Sequence, residues 1–136
     1  MLWIAQRASA ALLALCVTVH LFTIVYAVRG GLTAAEIFAR TRGSAGWFAF
    51  YTVFVIAVAV HAPIGLRPVL TEWLGWRGRT REWFVAAFGV LLAAHLGGGL
   101  RVLAIEFLDW HEWQKSLAAL AGAIALAAGL AFALAL

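Results

Sequence analysis

The chain has 136 residues, 65% of them hydrophobic and only 12% charged, with a mean hydropathy of +0.98. A water-soluble fold of this length cannot hide that much apolar surface, so the composition reads as a single domain whose solvent is the lipid bilayer. The net charge of +4 comes without a basic stripe or motif that would argue for nucleic acid, and the lone cysteine, Cys16, argues against an internal disulfide or a cysteine-type metal site.

Long uncharged runs lie between Arg7 and Arg29, between Arg42 and Arg67, between Glu82 and Arg101, and after Lys115. Crossing the hydrocarbon core takes about 20 helical residues. The runs lack barrel alternation, and only helices or closed barrels satisfy their backbone in lipid. The expectation is therefore an all-α integral membrane protein, a four-transmembrane-helix up-down bundle with spans at about 8–28, 43–66, 83–105 and 116–136. Only Arg7 precedes the first run, which is longer than a signal h-region, so it reads as a retained span.

In chain order, residues 29–42 predict one short helix capped by Thr33, with Glu36 at its third position. Residues 67–82 are the most basic segment, carrying Arg67, Arg77, Arg79 and Arg81. Residues 106–115 mix Glu106, Asp109, His111, Glu112 and Lys115 with Trp110 and Trp113, as an interfacial edge does. Each face would carry five basic residues, so charge does not orient the bundle. In the last run, Ala118 and Gly122, and Ala125 and Gly129, suit close helix packing or a lipid-facing edge.

His20, His61 and His95 all fall within spans. The last two open the same phrase, H-x3-G-L-R: His61, Gly65, Leu66, Arg67 and His95, Gly99, Leu100, Arg101. Imidazoles in a bilayer need a partner or a task. A bis-histidine haem is one reading, with His61, His20 and His95 as axial ligand candidates for the iron. Arg67 and Arg101 lie six residues past their histidines, about 9 Å along a helix, which suits haem propionates. Hydrogen bonding between helices and a proton relay are the other readings of the same histidines. Counted from helix starts near residues 8 and 83, His20 and His95 share a depth of about 18 Å, and His61 lies at about 7 Å. Arg7, Ser9, Glu72 and Trp73 gather near one membrane face and suit a quinone headgroup, or an ordinary Arg/Trp rim.

With these residues in place, the chain resembles the cytochrome b membrane anchors of succinate dehydrogenase and fumarate reductase. Gln6-Arg7-Ala8-Ser9-Ala10 is similar to the family's H-R-x-S/T-G signature, with Gln6 for His and Ala10 for Gly; Trp3 stands where the family has a further serine. His61, Gly65, Arg67 and Glu72 reproduce its H-x3-G-x-R-x4-D/E, with Trp73 where a tyrosine often follows. His20, fourteen residues after Gln6, is similar in spacing to the second-haem ligand of di-haem members. The resemblance covers roughly residues 3–75, with a weaker echo from His95 to Glu106.

The resemblance implies haem b, one or two per chain, with His61 as axial ligand, Arg67 near the propionates, and Arg7 and Ser9 lining a quinone pocket. It implies a subunit that is not catalytic alone. Such a subunit tethers a flavoprotein and an iron–sulfur protein and passes electrons to or from membrane quinone, in a bacterial inner membrane. A second anchor subunit or a second copy completes such complexes, whose anchors have three helices when paired or five when single. A haem-free quinone-binding anchor and a small proton-coupled transporter subunit are the alternatives.

Overall fold

The computed structural model describes residues 1–113 together with 115, 116, 119, 120 and 123. Four α-helices follow one another: α1 (Leu2–Arg29), α2 (Ala34–Thr41), α3 (Ala45–Leu74) and α4 (Gly78–Leu108), then one 3-10 turn at His111–Trp113. Helices α1, α3 and α4, of 28, 30 and 31 residues, are long and apolar enough to cross a membrane. They account for the first three expected spans. The fourth, 116–136, lies outside the described residues apart from 116, 119, 120 and 123.

The helices overrun the charges that bounded the sequence estimate. Helix α3 runs past Arg67 to Leu74 and through Pro63 and Pro68. Each proline leaves one carbonyl, of Ala59 and Ile64, without its helical donor, which neighbouring helices in a membrane tolerate. Gly75, at φ 66°, closes α3 in the left-handed conformation, and the Trp76 N–H reaches back 3.1 Å to the Leu70 carbonyl. The expected capping box is present on α2: Thr33 Oγ1 accepts from the Glu36 amide, and Glu36 accepts from the Thr33 amide at 2.8 Å. The Thr33 amide and hydroxyl hold the Glu36 carboxyl below the usual carboxylate range.

Helix α3 is the middle of the arrangement, packed on α1 and on α4. Ser9 meets His61 and His20 meets Tyr51, so α1 and α3 are antiparallel. Arg67 meets Glu82 and Tyr51 meets Phe107, so α3 and α4 are antiparallel too. The covered positions of α1 (5, 6, 9, 13, 16, 20, 23 and 27) lie three or four residues apart beyond the first pair, forming a single stripe. The buried set is mostly small: Ser9, Cys16, Ala57, Ala86, Gly97 and Ala104 are among it. Large apolar side chains such as Leu15, Phe22 and Leu91 point outward. Lipid removes the hydrophobic drive between helices, so close backbone approach over small residues does the packing.

A charged network ties α3 to α4. Arg67 and Arg81 both hold the Glu82 carboxylate, and Arg81 Nη1 donates to Thr71 Oγ1 at 2.9 Å. At the opposite face Arg42 pairs with Glu106 at 3.2 Å, largely in solvent. Glu82→Ala leaves two half-buried guanidiniums facing each other. We expect it to cost about 1–3 kcal/mol in a reversible unfolding titration in mixed micelles. Arg42→Ala in the same titration is expected to cost under about 1 kcal/mol.

Candidate functional site

The polar centre of the α1–α3 interface is His61. Its Nδ1 lies 3.3 Å from Ser9 Oγ and its Nε2 lies 3.5 Å from Gln6 Nε2. Ser9 is only 7% exposed, and its Oγ is 2.7 Å from the Ala5 carbonyl and 3.1 Å from that of Gln6. Gln6 Oε1 is buried without a hydrogen-bond partner. Gly65, one turn past His61, makes the approach of α1 possible: a Cβ there would sit 2.9 Å from Gln6 Nε2.

Arg67 looks elsewhere. Six residues at about 100° each turn it about 240° around α3 from His61, toward α4 and Glu82. Its Nε is buried without a partner. His61 and Arg67 thus share a helix and a membrane half but address different neighbours.

His20 occupies the other half of the α1–α3 seam. Its Nδ1 lies 3.4 Å from the Tyr51 hydroxyl, and its ring meets Tyr51 and Phe54 edge-on at 5.9 and 6.2 Å. Trp47, Phe50 and Phe107 extend this aromatic cluster around Tyr51. His95 is exposed on α4, and Arg101 is partly buried there. Helix packing does not put His20 and His95 at one depth. His20 is level with Tyr51 and hence with Phe107, twelve residues past His95 and about 18 Å along the axis. The equal-depth estimate measured both histidines from a loop charge. Yet Ser9 meets His61 while Glu82 meets Arg67, six residues farther along α3. The two apolar runs therefore begin at different heights.

The four quinone candidates divide. Ser9 is turned inward onto His61, whereas Arg7, Glu72 and Trp73 are exposed at the same membrane face, Trp73 at 82%. The Arg7 guanidinium lies 4.4 Å above the Trp3 ring. Gln6, Tyr51, Thr71 and Glu82 join these clusters although the sequence did not mark them. Gln6 was visible as the residue in the motif's histidine place, and Glu82 only as a span boundary. Tyr51 and Thr71 carried no signal. Among the described residues, no three His, Cys, Asp or Glu side chains gather as a cage for a bare metal ion; an axial pair on a haem iron needs no such cage.

Three helices able to cross a membrane, with a buried serine and part-buried histidine, glutamine and arginine between them, define a helical membrane subunit with a polar interior site. The sequence profile of the succinate dehydrogenase/fumarate reductase transmembrane subunit matches residues 1–94, and the chain belongs to that family. Neither a curated protein nor a solved structure gives a significant match to the chain.

Gly65→Ala tests the built contact. Alanine suits a helix better than glycine, and the atom in its way is the end of a flexible side chain. We expect stability within about 1 kcal/mol of the parent. The ring-nitrogen resonances of His61 in a 15N-histidine spectrum are expected to move as Gln6 is pushed off. Unmoved resonances would show that Gly65 does not set this contact.

Proposed function

We propose that this subunit is the haem b-bearing anchor of a succinate:quinone oxidoreductase-like complex. It carries electrons between a soluble flavoprotein and iron–sulfur pair and membrane quinone, and catalyses nothing alone. The observation that carries this reading is the meeting of two separate motif segments, Gln6 to Ser9 on α1 and His61 to Gly65 on α3, in one contact centred on an imidazole.

The residues suit the group. When bound between two imidazoles, haem b supplies a one-electron carrier. His61 offers Nε2, whose neighbour is the Gln6 side chain packed against Gly65. His20 offers an imidazole steadied by Tyr51 at its Nδ1. Among the described residues no second histidine faces either one, so each haem would draw its other ligand from a second anchor subunit or a second copy. Exposed on α4, His95 suits donation outward to such a neighbour. Arg67 and Arg101 are the propionate candidates, Arg67 with an unsatisfied buried Nε. Arg7, Glu72 and Trp73, with Ser9 behind them, line the edge where a quinone headgroup would enter between lipid and the soluble pair.

One observation favours a haem-free docking anchor instead: both ring nitrogens of His61 have protein neighbours at 3.3 and 3.5 Å. A reduced-minus-oxidised spectrum and a pyridine haemochrome assay of the purified complex decide between the two. We expect a b-type Soret and α-band signature, and the loss of one haem in His61→Ala. A flat spectrum sinks the haem reading in favour of the docking anchor. Unchanged haem content in His61→Ala removes His61 from the ligand set.

A further inference from the structure

Distances around Ser9 favour one direction for its hydroxyl. Ser9 has one hydrogen to give. The Ala5 carbonyl stands 2.7 Å away, and the Gln6 carbonyl 3.1 Å away. His61 Nδ1, at 3.3 Å, is farther than either. The hydrogen therefore belongs to the carbonyls, and toward His61 the oxygen has only lone pairs to offer. Nδ1 must then carry the imidazole proton and donate it to Ser9. Nε2 is left with its lone pair, facing the Gln6 amide nitrogen Nε2, which can only donate. With Gln6 Nε2 as the amide atom toward the ring, both contacts fit this tautomer.

We propose that Ser9 is a positioning residue for His61, and that Gln6 is a displaceable placeholder on the iron-binding nitrogen. This rests on the haem reading above. A neutral imidazole with Nδ1–H bonded to an acceptor is the state that gives Nε2 to a metal, and the acceptor fixes ring rotation and raises ligand basicity. At 3.5 Å the Gln6 contact is at the outer limit of a hydrogen bond, so little holds the amide in place. Its Oε1, buried and unsatisfied, gives it no second anchor. Buried behind the imidazole, Ser9 is assigned to the histidine rather than to quinone, and the exposed Arg7 keeps the membrane-facing role.

The test uses the purified complex with Ser9→Ala, Ser9→Thr and Gln6→Ala. The haem that disappears in His61→Ala is the one followed by redox titration. Ser9→Ala removes the acceptor, so the ligand becomes less electron-donating. Its midpoint potential should rise and haem retention should weaken about tenfold. Ser9→Thr keeps a hydroxyl that bonds back to the preceding turn and should restore both. Gln6→Ala should keep the haem at its parental potential. In parallel, a 15N-histidine spectrum of haem-depleted complex should show His61 as the Nδ1–H tautomer, lost in Ser9→Ala. A raised quinone KM in Ser9→Ala with unchanged potential would overturn the assignment and return Ser9 to the quinone site. An Nε2–H tautomer for His61 in the parent would also overturn it. Absence of haem from the parent complex would instead sink the functional reading, while the tautomer spectrum still decides the role of Ser9 on its own.

Discussion

A polar group in hydrocarbon must be answered by another polar group of the same protein, and α3 is where this chain meets that demand. With α1 on one side and α4 on the other, α3 is, among the described residues, the long helix with a polar-lined neighbour on each side. His61 and Gly65, four residues apart, fall on the face toward α1. Arg67 and Thr71, also four apart, fall on the face toward α4. One helical turn of spacing keeps each pair on its own face, and two residues of offset between the pairs separates the histidine from the arginine. The charge is then neutralised across one seam, while a neutral imidazole occupies the other.

The small-residue seams make this possible. Ser9 and Cys16 on α1, Ala57 on α3, and Ala86, Gly97 and Ala104 on α4 let the backbones approach, so short side chains such as serine can reach a neighbouring helix. A larger residue at 9 would hold α1 away from His61 and also remove its hydroxyl. Packing and chemistry therefore rest on the same positions. That is why α1, mostly exposed elsewhere, aligns its single covered stripe with His20, Ser9 and Gln6 on it.

Much of this was legible in the chain. Hydropathy and charge spacing marked three of the described helices, and Thr33 with Glu36 marked the capped helix between two of them, because these signals are local. The family followed from order and spacing in Gln6 to Ser9 and His61 to Glu72. The vertical register between helices was not legible. Where α4 sits against α3 is set by Arg67 reaching Glu82, a pair fifteen residues apart that sequence spacing treats as two span boundaries. Counting from those boundaries levelled His20 with His95, whereas the packed helices set them apart. Nor does composition tell inward from outward on a helix that is apolar all round, so the inward turn of Ser9 and the outward turn of Arg7 required the structure.

The two seams differ in how firmly they hold. Between α3 and α4, two guanidiniums grip one carboxylate with a threonine as a further anchor, a set of charge-assisted bonds among the stronger ones a protein makes. Between α1 and α3, the contacts to imidazoles run from 3.3 to 3.5 Å and join neutral partners. Such bonds contribute little when long, and little opposes their exchange. An interface of this kind can open to a flat ligand without unfastening α3 from α4. The arginine network thus fastens α3 to α4 more firmly than the histidine contacts fasten α1 to α3. The haem proposed above would meet such a division: a seam held mainly by small-residue contact, with neutral side chains beside His61, next to a seam fastened by charge.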